Sequence, residues 1–230
     1  MKAYKFKGAH QIPHAFDIIF NNRLYCADWS NLNDPMEGMF VTSRRADSGE
    51  DYKDTVANII REKKRLRVCS LSEAFDCHLL WSHYASGFSG LAIEVELPDD
   101  SPAVKKVSYR GVFAGVRLDG RVNPQRAAEE ILSSKYSEWQ YEREIRVLHP
   151  EAYFPLAAPV RRVIVGHRME SALFDALNFM CHKKGIQFNR TGIGDEGIDA
   201  DHVEPPKEDS SVVRPTPQPR KTTGAAGRKR

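Results

Sequence analysis

The sequence predicts one α+β domain, built on a mixed, largely antiparallel sheet packed with several helices, and a disordered basic C-terminal tail. Segments with the apolar alternation or continuous apolar runs of strands outnumber segments with helical periodicity. The two kinds do not alternate in the regular order that builds a parallel, doubly wound sheet. We therefore predict a domain over residues 1–202 and a Pro-rich tail over residues 203–230.

The tail prediction rests on composition and charge. Seven basic and three acidic residues lie from Glu204 onward, so this segment carries a net charge of +4 and the rest of the chain −1. It is rich in Pro, Ser, Thr and Gly and has few apolar side chains to bury, which predicts disorder. Any electrostatic attraction to nucleic acid therefore belongs to the tail.

The composition also indicates a cytoplasmic protein. No run approaches the roughly 18 to 20 apolar residues that span a bilayer. Residues 1–7 are charged at every second or third position, unlike the apolar core of a signal peptide. Four scattered cysteines are too few for a disulfide scaffold. We expect no membrane or disulfide partner, and the sequence leaves the oligomeric state open.

Hydrophobic patterning assigns the elements in order. Strands are predicted at residues 2–7, 23–27, 67–71, 91–97, 104–109, 144–148, 162–165 and 186–189. Helices are predicted at residues 12–22, 55–66, 77–85, 123–136 and 170–184. Asn123 and Pro124 have the chemistry of a helix start, and Gly185 that of a helix end.

The first polar segment, residues 33–37, has the composition of a turn. One interpretation is structural, with Asn33 and Asp34 bonding to nearby backbone amides. The other is functional, with Asp34 and Glu37 directed into a cleft as acids, bases or metal ligands. Both interpretations stay open at the level of sequence.

The second polar segment, residues 78–84, is predicted to be helical. Trp81 and Tyr84, with His83, would form a platform on which a flat ring stacks. The alternative is that Trp81 and Tyr84 are core aromatics and His83 donates to a backbone carbonyl. Cysteines and histidines nearby are zinc-ligand types, but their spacing matches no finger or ribbon, so we predict no metal site.

The third polar segment leads into the strand at residues 144–148. On a strand, Glu142, Glu144 and Arg146 project to one side, and Arg143 and Ile145 to the other. A solvated, salt-bridged edge is one interpretation. The other is a glutamate directed at a ligand hydroxyl, with Arg146 holding that glutamate or a phosphate.

Together these segments resemble an uncharacterised bacterial family, the domain of unknown function numbered twenty-nine seventy-one. The resemblance rests on Leu24-Tyr25, Asn33-Asp34-Pro35-Met36-Glu37, Cys69-Ser70-Leu71-Ser72, Leu80-Trp81-Ser82-His83-Tyr84-Ala85, Gly90, Val107-Ser108-Tyr109 and Trp139-Gln140-Tyr141-Glu142-Arg143-Glu144-Ile145-Arg146. The family name carries no activity. The resemblance implies that the three segments meet in one cleft.

The order of elements also resembles that of ADP-ribosyltransferases. This resemblance implies NAD as the substrate, Glu144 or Glu142 holding a ribose hydroxyl, and Tyr84 or Trp81 stacking on the nicotinamide. The first strand departs from those enzymes, because Tyr4-Lys5-Phe6 lacks their usual Arg or His.

We predict an enzyme acting on a nucleotide or nucleic-acid substrate, ADP-ribosyltransferase-like and using NAD. The candidate catalytic residues are Glu144, Glu142 and His83, and the candidate substrate-binding residues are Asn33, Asp34, Glu37, Trp81, Tyr84 and Arg146. One alternative is a metal-dependent hydrolase or nuclease with Asp34, Glu37, Glu142 and Glu144 around Mg²⁺. Another is a non-catalytic module that binds a small ligand or a partner.

Overall fold

The computed structural model describes residues 1–44, 52–111, 113–118, 122–195 and 197–206. Within these residues the predicted α+β class is confirmed, with a mixed, mostly antiparallel sheet. The described helices are all too short or too polar to cross a bilayer. The tail prediction falls almost entirely on residues 207–230, which lie outside the described residues.

The α-helices carry local start and stop signals. The Asn123 side chain accepts a hydrogen bond from the backbone N–H of Arg126 at the start of one helix. The Glu170 side chain accepts from the backbone N–H groups of Ala172 and Leu173 at the start of another. The α-helices of the described chain are α1 (Ile12–Asn21), α2 (Tyr52–Lys64), α3 (His78–Tyr84), α4 (Pro124–Leu132) and α5 (Ser171–Lys183).

The strands are short, as expected for a sheet assembled from many segments. They are β1 (Lys2–Lys7), β2 (Arg23–Tyr25), β3 (Ala27–Asp28), β4 (Phe40–Arg44), β5 (Arg67–Ser72), β6 (Leu91–Glu96), β7 (Val104–Lys106), β8 (Ser108–Arg110), β9 (Ala114–Leu118), β10 (Ser134–Tyr136), β11 (Glu144–His149), β12 (Tyr153–Pro155), β13 (Arg162–Val165), β14 (Gln187–Gly194) and β15 (Gly197–His202).

The main sheet has the order β15-β14-β13-β6-β1-β5-β11-β7, and β3 also pairs with β5. Within it β13 and β14 are parallel, and the other pairs are antiparallel. The pairs β2–β12, β4–β9 and β8–β10 lie outside this sheet. The register places Glu144 of β11 opposite Ser72 of β5, so the third polar segment enters the centre of the sheet.

Helices pack against both faces of the main sheet. On one face, α1 and α5 pack their buried aliphatic residues against β1, β5, β6, β11 and β13. On the other face, Leu80 and Trp81 of α3 pack against Tyr4, Phe6 and Ala92. Helices α2 and α4 share a smaller cluster with β4 and β9.

Strands β1 and β5 separate along their length. In the described chain they share one paired position, Tyr4 with Ser72, whereas β1 and β6 are paired at every position of β1. The Lys5 side chain partly replaces the missing backbone bonds, because its Nζ donates to the carbonyl oxygen of Ser70 at 2.7 Å. The centre of the sheet is therefore open on one side of this pair.

Several predicted elements are wrong in extent. The strand expected over residues 23–27 is divided into β2 and β3, which pair with β12 and β5. The strand expected over residues 186–189 continues to Gly194. The helix expected to run to residue 136 ends at Leu132, and the next residues form β10, which pairs in parallel with β8. The hydroxyls of Ser133 and Ser134 donate to carbonyls in the last turn of α4, which favours ending the helix there. The strand expected over residues 104–109 is divided into β7 and β8, which belong to different sheets.

Candidate active site

The site centres on Lys135, whose side chain is 2% exposed. Its Nζ lies 2.6 Å from Glu142 Oε2, 3.1 Å from Glu144 Oε2 and 3.2 Å from Glu37 Oε1. With Arg146, these residues make up what we call the ion cluster. Three carboxylates and two cations give the cluster a formal charge of −1, and its side chains are at most 5% exposed.

Arg146 closes the cluster from the sheet side. Its Nε donates to Glu144 Oε1 at 2.8 Å, one of its terminal nitrogens donates to Glu37 Oε2, and the other donates to the carbonyl oxygen of Leu132 at 2.7 Å. The guanidinium therefore joins β11, the 33–37 segment and the end of α4. Such complete pairing is what a fully buried charge requires.

Glu37 reaches the cluster from a turn. The backbone N–H of Glu37 donates to Asp34 O at 3.1 Å, and that of Met36 donates to the Asp34 carboxylate at 2.9 Å. The hydrogen bond to Met36 agrees with the structural interpretation of Asp34. The Glu37 carboxylate is buried in the ion cluster, and its functional role stays a prediction. Gly38 ends the turn with φ +74°, a conformation that favours glycine.

Glu142 ends a 3₁₀ helix, Ser137–Glu142, and Glu144 begins β11. Between them Arg143 adopts the left-handed conformation with φ 43°. The Ser72 hydroxyl donates to the carbonyl oxygen of Glu142 at 2.7 Å, and the Tyr109 hydroxyl accepts from the backbone N–H of Glu144 at 2.7 Å. These contacts fix both carboxylates toward Lys135.

The cations of the cluster keep Glu144 ionised. Burial acts to raise the pKa of Glu144, but the charges of Arg146 and Lys135 outweigh it and lower this pKa to about 2. Burial likewise acts to lower the pKa of Lys135, and the charges of Glu144, Glu37 and Glu142 raise it above its ordinary value instead.

Glu142 differs from Glu144. Burial raises the pKa of Glu142 above its ordinary value, although Lys135 and Tyr84 act against the shift. The Tyr84 hydroxyl donates to Glu142 Oε1 at 2.6 Å, and its own pKa is raised, first by burial and then by this bond. Two adjacent carboxylates with opposite pKa shifts are a common feature of acid–base sites.

A cleft of about 600 Å³ opens where β1 and β5 separate, and we call it the sheet cleft. Its walls include the side chains Lys5, Lys7, Ser72, Lys135, Glu142 and Glu144. This volume lies within the range of about 300–1,000 Å³ that is typical of small-molecule sites. The sheet cleft therefore exposes one side of the ion cluster to a ligand.

Lys5 and Lys7 supply positive charge to the sheet cleft. Burial, together with the charge of Lys5, lowers the pKa of Lys7 to about 8. Among the described residues Lys7 forms no salt bridge, whereas Lys2 of the same strand pairs with Glu94 at 3.0 Å. A half-buried cation without a carboxylate partner is favourably placed to bind an anion.

Aromatic rings line the same cleft. His83 lies with its ring centroid 6.4 Å from those of Trp139 and Tyr141, and the rings of Trp139 and Tyr141 are 6.0 Å apart. His83, Tyr84 and Trp139 face the cleft. They provide flat surfaces at the end that holds Glu142.

Trp81 lies elsewhere. It is fully buried, stacks on Phe88 with a centroid distance of 5.5 Å and donates from Nε1 to Phe75 O at 2.6 Å. The core interpretation therefore describes Trp81, and Trp139 has the accessible position instead. Helical spacing predicts that Trp81 and Tyr84 share one face of α3. In the structure Trp81 is buried in the core, whereas Tyr84 lines the sheet cleft.

The structure brings most of the predicted residues together. Glu37, Glu142, Glu144 and Arg146 form the ion cluster with Lys135, which the sequence prediction missed. Tyr84 bonds to Glu142, and the Asn33 amide donates to the Tyr84 hydroxyl at 3.0 Å. His83 lines the sheet cleft, and Asp34 lines a second cavity on the other side of Lys135.

Lys135 was missed for a physical reason. Its position was assigned to the last turn of a helix predicted over residues 123–136. Its role depends on the parallel pairing of β10 with β8, which places Lys135 opposite Tyr109. Long-range pairing of this kind leaves no periodic signal in one sequence.

Comparison of the chain with known protein families, with curated proteins and with solved structures gives no match. The resemblance to the uncharacterised bacterial family therefore stays a prediction. The geometry of the ion cluster and the sheet cleft is the remaining basis for a function.

Proposed function

We propose that this chain is an enzyme acting on a nucleotide, with an ADP-ribosyltransferase-like reaction that uses NAD as the substrate in the sheet cleft. One observation carries the proposal. On one wall the cleft presents the positive charge of Lys7, which forms no salt bridge within the described part of the chain, and at its end it presents a buried carboxylate pair beside aromatic rings. A nucleotide has the complementary set of groups, namely phosphates, hydroxyls and flat rings. We also propose a cytoplasmic location, where NAD is present.

The lysines suit the diphosphate of such a substrate. Lys5 is held by its bond to Ser70 O, and Lys7 carries a charge that its surroundings disfavour. A bound phosphate would restore the charge balance of Lys7 and raise its pKa. Part of the binding energy therefore comes from neutralising the buried charge of Lys7, which is unfavourable in the free protein.

The carboxylates suit the sugar. As the bond between ribose and nicotinamide breaks, its electron pair leaves with nicotinamide and positive charge develops on the ribose ring, which the ionised Glu144 stabilises electrostatically. An acceptor nucleophile, or water in its absence, then bonds to the ribose carbon and gives up its proton to solvent. Among the described residues Glu142 accepts two hydrogen bonds, from Lys135 and Tyr84, whereas Glu144 accepts three, so Glu142 has more free lone pairs with which to accept a ribose hydroxyl. Tyr84 and Trp139 provide rings against which the nicotinamide stacks.

The test measures nicotinamide released from NAD by the wild type and by Glu142→Gln, with binding followed by calorimetry. We expect the variant to lower the rate about 100-fold or more, because an amide cannot accept the hydroxyl as a carboxylate does. Glu96→Gln is the control, since Glu96 is an exposed residue at the end of β6. Its rate should match the wild type.

Other outcomes decide between the alternatives. NAD binding without nicotinamide release would favour the non-catalytic binding module. Absence of both binding and release would contradict the proposal. Equal rates for Glu142→Gln and wild type would show that Glu142 takes no part in the reaction.

Of the four carboxylates that the metal-dependent hydrolase requires, Glu37, Glu142 and Glu144 converge on one point, whereas Asp34 lines the other cavity. Among the described residues no group of three such side chains has the geometry to hold a metal ion. That point is occupied by the ammonium of Lys135, at 2.6 to 3.2 Å from the carboxylates. A divalent ion at this point would have to displace a buried cation. The hydrolase therefore predicts that Lys135→Met binds Mg²⁺ more tightly than wild type does, which calorimetry would detect.

A further inference from the structure

A second cavity of about 600 Å³ lies on the other side of Lys135, and we call it the acidic pocket. Its walls include three acidic side chains, Asp34, Glu37 and Glu138, and the aromatic rings of Phe113 and Trp139. Lys135 and Trp139 also line the sheet cleft, so the two cavities share these walls. The function proposed above does not use the acidic pocket.

Exposed apolar side chains surround this pocket. Met36, Met39 and Tyr136 are 49%, 50% and 42% exposed, and all of them line it. Large apolar side chains that remain accessible around a cavity mark ligand or partner sites more often than ordinary surface. Methionine adapts its shape to different ligands.

The charge of the pocket is negative. The ammonium of Lys135 is already neutralised by the glutamates around it, so it presents little charge to the pocket. Asp34 uses one oxygen to accept from the backbone of Met36, and Glu138 is exposed at the pocket rim. Two carboxylates on an otherwise apolar and aromatic wall favour a cation with an apolar stem.

We propose that the acidic pocket binds an arginine side chain of a partner polypeptide. The planar guanidinium can bond to carboxylates through paired N–H groups and stack on an indole, and its aliphatic stem suits the methionines. Asp34 and Glu138 hold the guanidinium, Trp139 stacks on it, and Met36 and Met39 cover the stem. This site shares Trp139 with the sheet cleft, but its carboxylates, Asp34 and Glu138, take no part in the reaction proposed there.

The test uses the indole N–H signals of the full chain in ¹⁵N NMR, because the protein has three tryptophans in different surroundings. Trp139 lines the pocket, and Trp81 is buried away from it and serves as an internal reference. The Trp139→Phe variant assigns the signal. We expect N-acetyl-arginine methylamide to shift the Trp139 signal in a saturable manner and leave that of Trp81 unchanged.

The matched probe is N-acetyl-citrulline methylamide, which has nearly the same shape as the arginine derivative and no charge. We expect it to bind about tenfold more weakly, and the Asp34→Asn/Glu138→Gln variant to weaken the arginine derivative to a similar extent. Glu130→Gln, an exposed residue on α4, should have no effect. Equal binding of both probes, or no shift of Trp139, would overturn the proposal. No NAD is present, so the result does not depend on the enzymatic proposal.

Discussion

Lys135 illustrates how one side chain can hold several segments of a fold. Its ammonium contacts carboxylates from the 33–37 turn, the 3₁₀ helix and β11, and it lies 4.8 Å from the centroid of the Trp139 ring. Lys135→Met would leave these carboxylates buried without their shared cation. We expect a loss of about 3–5 kcal/mol in the free energy of unfolding, measured with urea.

The control for this experiment is Lys106→Met. Lys106 pairs with Glu73 at 2.6 Å, but its side chain is 69% exposed. Exposed ion pairs contribute about 0–1 kcal/mol. Similar losses for the two variants would mean that the ion cluster does not stabilise the fold.

The pKa of Glu144 makes stability depend on pH. Its folded-state pKa of about 2 lies below its ordinary value of 4.5, so the stabilisation is present above pH 4.5 and is lost as the pH falls toward 2. We expect the urea midpoint of the wild type to fall across this window. The urea midpoint of Glu144→Gln should fall less steeply over the same pH range. Parallel curves for the variant and the wild type would contradict a lowered pKa of Glu144.

At the scale of elements, the turn that carries Glu37 depends on Gly38. Its φ is +74°, and a Cβ there would lie 2.8 Å from the Trp29 ring, while its carbonyl oxygen accepts from Lys63 Nζ at 2.6 Å. We expect Gly38→Ala to reduce the free energy of unfolding by about 1–3 kcal/mol, measured by chemical denaturation.

Gly115→Ala is the matched control for that variant. Gly115 is exposed on β9, and a Cβ there meets open space. We expect a change within about 0.5 kcal/mol. A comparable loss at both positions would show that the Gly38 conformation is not the cause.

The elements that the sequence predicted well are those with strong local signals. Strand β1 and strand β13 match their predicted bounds, and α5 matches within one residue at each end. Strands β4 and β9 were missed, because they pair in parallel with each other across more than 70 residues of sequence. Their stability comes from packing against α2 and α4, which no local pattern encodes.

At the scale of the whole molecule, the sheet cleft makes a prediction that involves Lys7. We expect Lys7→Met to weaken the binding of ADP about tenfold at pH 7, measured by calorimetry, because a partly desolvated charge is lost. Wild-type affinity should fall as the pH rises through about 8, where Lys7 loses its proton. The variant should lack this pH dependence.

Lys2→Met is the control for the cleft prediction, because Lys2 lies on the same strand, is 71% exposed and pairs with Glu94. Its affinity for ADP should equal that of the wild type. A similar loss in both lysine variants would indicate a diffuse electrostatic effect rather than a bound phosphate.

The sequence predicted those features of the candidate site that depend on a single segment of the chain. Strand alternation placed Glu144 and Arg146 on one face, and turn composition identified the 33–37 segment. The meeting of these segments depends on the β5–β11 register and on β10, which only the folded chain fixes. Burial of Trp81 in the core and the position of Trp139 in the cleft wall were unpredictable for the same reason.

The separation of β1 from β5 also has a consequence for how the sheet opens. Ordinary sheets lose amide protection from their edges inward, since central strands are bonded on both sides. Here the sheet has two halves, which one paired position of the described chain joins. One half consists of β15, β14, β13, β6 and β1, and the other consists of β5, β11 and β7. Hydrogen exchange should therefore show a minimum of protection in the middle of the sheet, and a ligand bound there would add contacts between the strands on the two sides of this gap.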